Sequence, residues 1–467
     1  MNWFLQCTEC RKRFPLEPGR YLCDVCGAKQ EPDRPLRGIL ECRWEETPLD
    51  LGTPSLSGSD ASGYSASDAG ASGSGVPMAH RGTENPGPTF SMEDLRWEDW
   101  LPVGARSFPP IPVGHTPLWE PERLREATGF PNLYIKDDTC EPSGSFKDRA
   151  SFLVAAFALE RGIREIALAS TGNAASSMAA VGAASHINIR VFLPKKAPMA
   201  KRIQVLQYGA DLTEVAGTYD VAFEQSLAYS RETGVLSRNT AYNPLTIEGK
   251  KTVSFEIASQ LAELGKTADH IFVPLGDGVI LAGLYKGFED LLRLGVLERM
   301  PTIWACQAEG SSAIARSFFR LLELGVGKTS AAPHREYTTA PAVFSPEIFR
   351  HILPSDTLAD SISVDVPRNG YHTLGKLQAY GGWPVVVTDR EILLAQRNLA
   401  SHTGLFAEPS SSAAWAGFVK IIREQTGSEA ADPRAPAIDR NETVVILITG
   451  SGLKDTAGAL KALEIEQ

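Results

Sequence analysis

The feature that most restricts the fold of this chain is a regular alternation of short apolar runs and helical patterns beyond Pro112. Each apolar run is long enough for one strand, and the segment near it has the spacing of a helix. The predicted strands are 165–169, 189–193, 211–215, 270–273, 302–307 and 443–448, and the helices after the first three are 173–186, 199–208 and 219–232. This pattern predicts an α/β fold with mainly parallel sheet.

The segment 143–149 (Ser-Gly-Ser-Phe-Lys-Asp-Arg) sets Lys147 among small, hydroxyl-bearing neighbours, directly after Glu141 and Pro142. A lysine that forms a Schiff base needs close backbone approach, little steric bulk and a way to lose its proton. The alternative is a solvated loop before a helix, because most lysines are surface charges. Taken by itself, this segment does not decide between the two interpretations.

Two strand–loop–helix junctions predict anion sites. In the first, 169–173, backbone amides at the positive end of a helix suit a substrate carboxylate. Asn173 in this junction either hydrogen-bonds a ring substituent or caps the helix. The second junction, 273–283, has glycines that permit a positive φ, so that amides can surround a phosphate. The alternative is a dinucleotide-binding loop, but the G-x-G-x-x-G spacing is imperfect.

Thr449 lies at the end of the last apolar strand, before Gly450 and Ser451. If its hydroxyl faces a pyridine nitrogen, it cannot stabilise a protonated ring as a carboxylate would. Such an arrangement favours elimination and replacement over transamination or racemisation. The alternative is an ordinary strand-to-helix turn, for which Gly and Ser are routine.

Together these motifs resemble those of the fold-type II pyridoxal-phosphate (PLP) enzymes and, within that class, the threonine synthases. The resemblance runs over roughly residues 111–455 and is carried, in the family's order, by segments 114–118, 143–149, 170–173, 208–210, 217–220, 243–252, 408–413 and 449–455. It implies a two-lobed α/β fold of mainly parallel sheets and PLP as the cofactor. It also implies a small amino-acid substrate and a homodimer.

The resemblance also implies roles for individual residues. Lys147 would hold PLP as a Schiff base and later move protons, Asn173 would contact the 3′-oxygen, and Thr449 would meet the pyridine nitrogen. Ser170 and Thr171 would hold the substrate's carboxylate. The loop that would hold the cofactor phosphate consists of Gly276, Asp277, Gly278, Val279 and Ile280.

Two positions depart from the threonine synthase pattern. In its NPxRxEGQKT stretch, an arginine helps to grip the phosphate leaving group, and Thr246 stands at that position here. Because a guanidinium binds phosphate bidentately, this change is not conservative. We therefore predict Thr246 as a substrate-binding residue of altered chemistry. In the phosphate loop, Asp277 would have to point away from a phosphate or pair with Lys286.

Threonine synthase, which converts O-phosphohomoserine and water to threonine and phosphate, is the first functional hypothesis. The alternative is a β-replacement synthase of the cysteate or cysteine synthase type, which acts on O-phosphoserine or O-acetylserine. A third hypothesis is a catalytically silent PLP-binding paralogue, which would be expected to lose Lys147, Asn173 or the loop 276–283.

Four cysteines near the N-terminus form a metal-binding pattern. Cys7 and Cys10 are followed after twelve residues by Cys23 and Cys26, so two paired thiolate hooks can supply a closed tetrahedral S4 site. Such a site has no open coordination position, which predicts structural rather than catalytic zinc. Cys42 is a spare thiol that could replace one of the ligands.

A Ser, Gly, Ala and Asp-rich segment follows this module. It has almost no large apolar residues between positions 53 and 88, so it cannot offset its ordering entropy and is predicted to be a disordered linker. The predicted organisation is a zinc-ribbon-like module at 1–45, the linker at 46–90 and a PLP-dependent catalytic domain at 91–467. A smaller lobe, about 150–245, would be inserted in the larger lobe.

Charge and cysteine usage argue against a nucleic-acid-binding, membrane or secreted protein. The net charge of −10 disfavours non-specific binding to nucleic acid or anionic membranes. The basic run 11–13 could indicate a nucleic-acid knuckle, but three charges are more often a solvated turn. No apolar run is long enough to span a membrane, and no signal peptide is visible. Seven cysteines, with four of them clustered, favour a reducing compartment and hence the cytoplasm.

Overall fold

The computed structural model describes residues 1–45, 95–170, 172–195, 199–217, 219–326, 341–345, 347–349, 354–427 and 430–464. Two of the expectations above fall outside these residues, namely the disordered linker at 46–90 and the carboxylate-binding role of Thr171.

The strands, in chain order, are β1 (Asn2–Cys7), β2 (Arg13–Pro15), β3 (Leu40–Glu45), β4 (Leu118–Trp119), β5 (Leu133–Asp137), β6 (Glu165–Ala169), β7 (Asn188–Pro194), β8 (Asp211–Val215), β9 (Leu236–Ser237), β10 (His270–Pro274), β11 (Thr302–Ala308), β12 (Trp383–Val387) and β13 (Val444–Ile448). The α-helices are α1 (Asp24–Gly27), α2 (Glu122–Thr128), α3 (Lys147–Glu160), α4 (Asn173–Ser185), α5 (Met199–Gln207), α6 (Tyr219–Thr233), α7 (Leu245–Lys250), α8 (Thr252–Glu263), α9 (Val279–Arg293), α10 (Ala313–Glu323), α11 (Gly370–Tyr380), α12 (Asp389–Thr403), α13 (Pro409–Gln425) and α14 (Thr456–Glu464).

The predicted strands and helices are confirmed to within one or two residues at each end. The runs 165–169 and 211–215 are β6 and β8, and the run 443–448 is β13, which begins one residue later. The local sequence was sufficient to locate these strands, because each strand is a short apolar run bounded by turn residues.

The N-terminal module is a three-stranded antiparallel sheet in the order β2-β1-β3. The register pairs Cys7 with Leu40 and Leu5 with Cys42. The short helix α1 carries Cys26 and is joined to the sheet by loops. This arrangement is compatible with a zinc ribbon.

The larger sheet of the remaining chain has the order β12-β11-β10-β13-β5-β4. Every neighbouring pair is parallel except β4 with β5 at one edge. All five residues of β13 are buried, as expected for a central parallel strand covered on both faces. Helix α13 packs against β10, β11, β12 and β13 and so covers one face of this sheet.

The smaller sheet is parallel throughout and has the order β8-β7-β6-β9. Its strands all come from residues 165–237, whereas the strands of the larger sheet come from both sides of that segment in the sequence. Helix α4 is built mainly from Ala, Ser and Gly. A Cβ at Gly182 would lie 2.3 Å from Ile189 Cγ1 of β7, so small residues let α4 approach the sheet closely.

None of the helices in the part of the chain that the structure describes combines the length and the apolar character needed to cross a membrane.

Candidate active site

A cavity of about 480 Å³ lies where β6 of the smaller sheet and β10 and β13 of the larger sheet end. Ligands of open α/β sheets bind at the carboxyl ends of the strands, so this is the expected place for a site. The predicted residues that line it are Lys147, Ser170, Asn173, Gly276, Asp277, Gly278, Val279, Ile280 and Thr449. The structure thus brings together residues that are up to three hundred positions apart in the sequence.

Lys147 begins helix α3 and faces the cavity. The loop before it is fixed to the turn after β13, because Phe146 N donates to Thr449 O at 2.9 Å and Ser451 N donates to Gly144 O at 3.0 Å. Gly144 has a φ of +78°, which a residue with a Cβ would adopt only with strain. The small residues of this segment therefore serve a tight turn that positions the lysine.

The surroundings of Lys147 favour its neutral form. Burial lowers the pKa of this amine, and the nearby guanidinium of Arg238 lowers it further, while the carboxylate of Glu408 opposes both. A neutral amine is the nucleophilic form, so the site prepares Lys147 to attack a carbonyl carbon.

Glu408 is a site residue that the sequence did not assign a role. It is buried, and its carboxylate oxygens accept hydrogen bonds from Asn173 Nδ2 at 3.0 and 3.1 Å. The amide of Asn173 also donates to Ser361 Oγ at 3.2 Å. A Cβ at Gly450 would lie 2.5 Å from Glu408 Oε1, which explains a glycine at that position. Burial raises the pKa of Glu408, and the Lys147 amine opposes this shift.

Thr449 is buried at the end of β13, where its hydroxyl lies 3.0 Å from the hydroxyl of Ser411. Its backbone amide donates to Ser411 Oγ at 3.2 Å. Both side chains are neutral, so a ring nitrogen placed here would meet a hydroxyl and not a carboxylate.

The loop 276–280 turns sharply into helix α9. Gly278 is the residue before the helix and has a φ of +93°. A Cβ at this position would lie 2.1 Å from Thr373 Oγ1, so both the backbone conformation and the space require glycine. The first turn of α9 therefore presents free backbone amides to the cavity, which is the arrangement that binds a phosphate.

Asp277 in this loop accepts a hydrogen bond from the backbone amide of Arg368. Burial raises the pKa of Asp277 to about 6, with Arg368 opposing the shift. The predicted alternative, a pair with Lys286, is wrong because Lys286 contacts the carboxylate of Asp290 at 2.6 Å on the same helix. Asp277 thus turns towards Arg368.

Thr246 is the predicted site residue that the structure does not place on the cavity wall. It is fully buried in α7, and its hydroxyl donates to Asn243 O at 2.7 Å. Lys250, one helical turn later, lines the cavity instead. Its ammonium donates to Thr246 O at 3.2 Å, and in the described part of the chain no carboxylate lies within ion-pair distance of it.

Burial lowers the pKa of Lys250 well below its ordinary value, the positive charges of Arg238 and Lys147 act in the same direction, and the carboxyl of Asp277 opposes them. An anion that enters the site would raise the pKa of this buried amine and favour its protonated form. Sequence reasoning missed Lys250, although it stands at the glutamine of the NPxRxEGQKT stretch and so adds a titratable amine there.

The first junction contributes Ser170, whose hydroxyl accepts a hydrogen bond from Gly172 N at 3.2 Å. Ser170 lies just before the N-terminus of α4, and both it and Asn173 line the cavity. This end of the cavity can accept a second anion, such as a carboxylate.

The four cysteines of the N-terminal module form a separate cluster. The Sγ atoms of Cys7, Cys10, Cys23 and Cys26 all lie within 4.8 Å of one another. Cys42 is buried on β3 opposite Leu5 and is not one of this group. The cluster is compatible with a tetrahedral metal ion held by four thiolates.

Comparison with known proteins identifies relatives over most of the chain. The family described as pyridoxal-phosphate dependent enzymes matches residues 111–450. The threonine synthase of Methanocaldococcus jannaschii is 32% identical over 371 residues, which is 79% of this chain and 82% of that protein. The threonine synthase of Methanosarcina acetivorans is 33% identical over 357 residues, 76% of this chain and 78% of that one.

Solved structures share the fold at lower identity. Threonine deaminase isoform 2 from Solanum lycopersicum has a TM-score of 0.57 at 24% identity, over 75% of this chain and 87% of that one. Diaminopropionate ammonia lyase from Escherichia coli has a TM-score of 0.58 at 14% identity, over 75% of this chain and 88% of that one.

Proposed function

The chain belongs to the family of pyridoxal-phosphate dependent enzymes, and from this premise we propose that it catalyses the threonine synthase reaction. The prediction of a threonine synthase-like, fold-type II PLP enzyme is confirmed by its relatives. The identity of the substrate, O-phosphohomoserine, and the roles of single residues are the parts that we propose.

The cavity fits PLP on three grounds. It contains a buried lysine with a lowered pKa, it has the N-terminus of α9 beyond a glycine with positive φ, and it ends at a buried hydroxyl. Lys147 would hold the aldehyde carbon, the loop 276–280 the phosphate and Thr449 the ring nitrogen. Bound PLP supplies an electron-accepting ring that makes the α-hydrogen of an attached amino acid acidic.

The chain's own residues would then manage the protons. The free amine of Lys147 would act as a base within the cavity, and its lowered pKa shifts it towards the form that accepts a proton. Glu408 fixes the amide of Asn173, which we propose orients the ring through its 3′-oxygen. The hydroxyl of Thr449 would give the ring nitrogen a neutral partner in place of a carboxylate, which would favour elimination and replacement.

The observation that carries the choice of substrate is Lys250. A buried amine with a lowered pKa, and with no carboxylate of the described residues within ion-pair distance, faces the same cavity as Lys147, and a phosphate leaving group would favour its protonated form. Lys250 lies one turn after Thr246, and once protonated beside a phosphate it would supply the positive charge of the missing arginine. A phosphate group is doubly charged, so this site favours phosphorylated substrates over acetylated ones.

The other end of the substrate would be held at the N-terminus of α4. We propose that Ser170 and Thr171 bind the α-carboxylate there, since anions bind favourably at that end of a helix. The distance between that end and Lys250 would select the length of the substrate. This leaves O-phosphoserine as the specific alternative, because it offers the same phosphate on a shorter chain.

For the N-terminal module we propose structural zinc bound by Cys7, Cys10, Cys23 and Cys26. Its closed set of four sulfur ligands supports this choice of metal. Thiolates ligate only when reduced, so a reducing compartment such as the cytoplasm goes with the proposal. We also propose the division of the chain into a module at 1–45, a linker and a catalytic domain. The homodimer remains a prediction, which analytical ultracentrifugation would test.

The experiment adds three substrates in turn to the purified PLP-loaded protein, namely O-phosphohomoserine, O-phosphoserine and O-acetylserine, each with water alone and with sulfide or sulfite as the incoming nucleophile. Amino-acid analysis and phosphate release measure the products. Threonine and phosphate from O-phosphohomoserine are the expected result. Turnover of O-phosphoserine alone would replace the proposal by a β-replacement synthase, and no turnover of any substrate would favour the silent paralogue.

A further inference from the structure

The segment 34–39 of the N-terminal module is held by the two cysteine hooks. Cys23 N donates to Gly38 O at 2.8 Å, and Thr8 donates to Ile39 O from its backbone amide at 3.0 Å and from its hydroxyl at 3.2 Å. Thr8 lies between the two cysteines of the first Cys-x2-Cys hook, and Cys23 is the first cysteine of the second hook. One side of this segment is therefore fixed by the backbone of the cysteine cluster.

The other side of the same segment reaches the phosphate loop. Leu36 N donates to Arg368 O at 2.8 Å. The amide of Arg368 donates to the carboxylate of Asp277, and the amide of Asn369 donates to Asp277 O at 3.1 Å. The side chain of Asn369 donates to Gly278 O at 3.2 Å. A short hydrogen-bonded path thus runs from the cysteine hooks to the residues that would bind the cofactor phosphate.

Apolar packing follows the same path. Leu36 and Ile39 are buried in one small cluster with Val279 and Ala282, which form the first turn of α9. This is the turn whose amides face the cavity. Withdrawal of the module would expose these side chains and leave the start of α9 without its support.

A buried ion cluster adds a third contact. Glu41 of β3 lies 3.0 Å from His372 Nε2 and 3.1 Å from Lys376 Nζ, both on α11. On the same helix, Thr373 donates to Gly278 O at 3.2 Å. Separation of the module would break these two contacts of Glu41, although Arg43 on the same strand would still pair with its carboxylate.

We propose that metal binding by the four cysteines and PLP binding in the cavity are coupled through the segment 34–39. A metal ion joins the two hooks and so fixes the peptide bonds that hold Gly38 and Ile39. With the metal removed, the contact of Leu36 with Arg368 loosens and the loop 276–280 becomes less ordered. Binding of PLP must then also order this loop, which lowers the affinity for PLP. The metal is the zinc that we propose for the four cysteines, and the PLP site is the cavity that contains Lys147.

Coupling between two sites is reciprocal, so PLP must strengthen metal binding by the factor with which the metal strengthens PLP binding. Typical coupling between sites corresponds to a factor of about 5–150. If the metal stabilised only the fold of the N-terminal module, it would not change the affinity for PLP, and PLP would not change the affinity for the metal.

The test uses the full chain in the metal-loaded and metal-free forms. The PLP dissociation constant is measured by the visible absorption of bound PLP, and the zinc dissociation constant is measured by competition with a chromogenic chelator, with and without PLP. We expect both constants to rise roughly tenfold, within the range above, when the other ligand is removed. Circular dichroism verifies that the secondary structure persists.

Two variants separate the path from the module as a whole. Leu36→Ala removes the packing against the start of α9 and should reduce the coupling factor. Tyr21→Phe is the matched control, because the phenolic oxygen of Tyr21 accepts a hydrogen bond from Ser237 N at 2.7 Å on the smaller sheet. It breaks a contact between the module and the catalytic region that does not touch the phosphate loop, so it should keep the full factor.

Equal zinc affinity with and without PLP in the wild-type protein overturns the inference, and so does purified protein that binds no zinc. If removal of zinc unfolds the chain, folding alone would couple the two ligands, and a full coupling factor in Leu36→Ala would then overturn the segment 34–39 as the path. No substrate enters the test, so failure of the threonine synthase reaction would leave its result unchanged.

Discussion

The side-chain nitrogen of Asn173 lies 3.1 and 3.0 Å from the two carboxylate oxygens of Glu408, which is 235 residues later in the chain. The same carboxylate raises the pKa of Lys147, against the effect of burial. Glu408 thus acts both on the residue that would orient the cofactor ring and on the amine that would hold it.

Replacement of Glu408 by glutamine should lower the pKa of Lys147, because it removes the negative charge that favours the ammonium form. In PLP-free protein, the rate at which added PLP becomes bound should then reach half its maximum at a lower pH than in the wild type. Stopped-flow absorbance over a pH series measures this midpoint. Glu408→Asp keeps the charge and should shift the midpoint less; an unchanged midpoint in Glu408→Gln would contradict this role.

Replacement of Lys250 by glutamine should selectively reduce the turnover of phosphorylated substrates. Charge-assisted hydrogen bonds contribute about 1.5–3 kcal/mol, so kcat/KM for the phosphorylated substrate should fall roughly 10–150-fold. The dissociation constant of inorganic phosphate as a competitive inhibitor should rise in parallel, and Lys250→Arg should retain part of the affinity. Equal losses of phosphate and PLP affinity would instead place Lys250 at the cofactor phosphate.

Replacement of Gly278 by alanine should weaken PLP binding, because the new Cβ would lie 2.1 Å from Thr373 Oγ1 at a φ of +93°. A strained backbone position costs about 1–3 kcal/mol, which corresponds to roughly 5–150-fold in the PLP dissociation constant. Gly295→Ala is the matched control, since Gly295 follows the far end of α9 with a φ of +70° and has no neighbour within 4 Å. It should lower stability without changing PLP affinity, and equal PLP affinities of the two variants would refute the contact.

The carboxyl of Asp277 predicts a specific dependence of stability on pH. Burial raises its pKa from the ordinary 3.8 to about 6, so the folded protein binds more protons than the unfolded one between these values. The stability that this group contributes is present at low pH and lost as the pH rises through about 6. In PLP-free protein, the free energy of unfolding of the wild type minus that of Asp277→Asn should fall between about pH 4 and 6. A difference that rises with pH would have the wrong sign.

The parallel strands were predictable from the sequence because each one is a local pattern. The residues 165–169 and 211–215 are apolar runs between turn signals, and the smaller sheet contains both as β6 and β8. The loop 276–280 was predictable for the same reason, since its glycines are needed by the local backbone. Its closest restraint, Thr373, was not predictable, because α11 lies almost a hundred residues later.

The side chains that complete the cavity depend on contacts between distant segments. Thr246 was expected at the substrate, yet its hydroxyl donates to Asn243 O just before α7, and Lys250 lies on the cavity wall instead. Glu408 stood in a recognised motif, but its partner Asn173 could only be identified in three dimensions. The contact of Leu36 with Arg368 joins segments more than three hundred residues apart, and no sequence pattern marks it.

The most direct test of the central claim is to find the residue to which PLP is attached. The PLP-loaded protein is reduced with sodium borohydride, digested, and analysed by mass spectrometry for the peptide that carries the phosphopyridoxyl group. Attachment at Lys147, with none in Lys147→Ala, is the predicted result. Attachment at Lys250, the other lysine of the cavity wall, or at no lysine would contradict it.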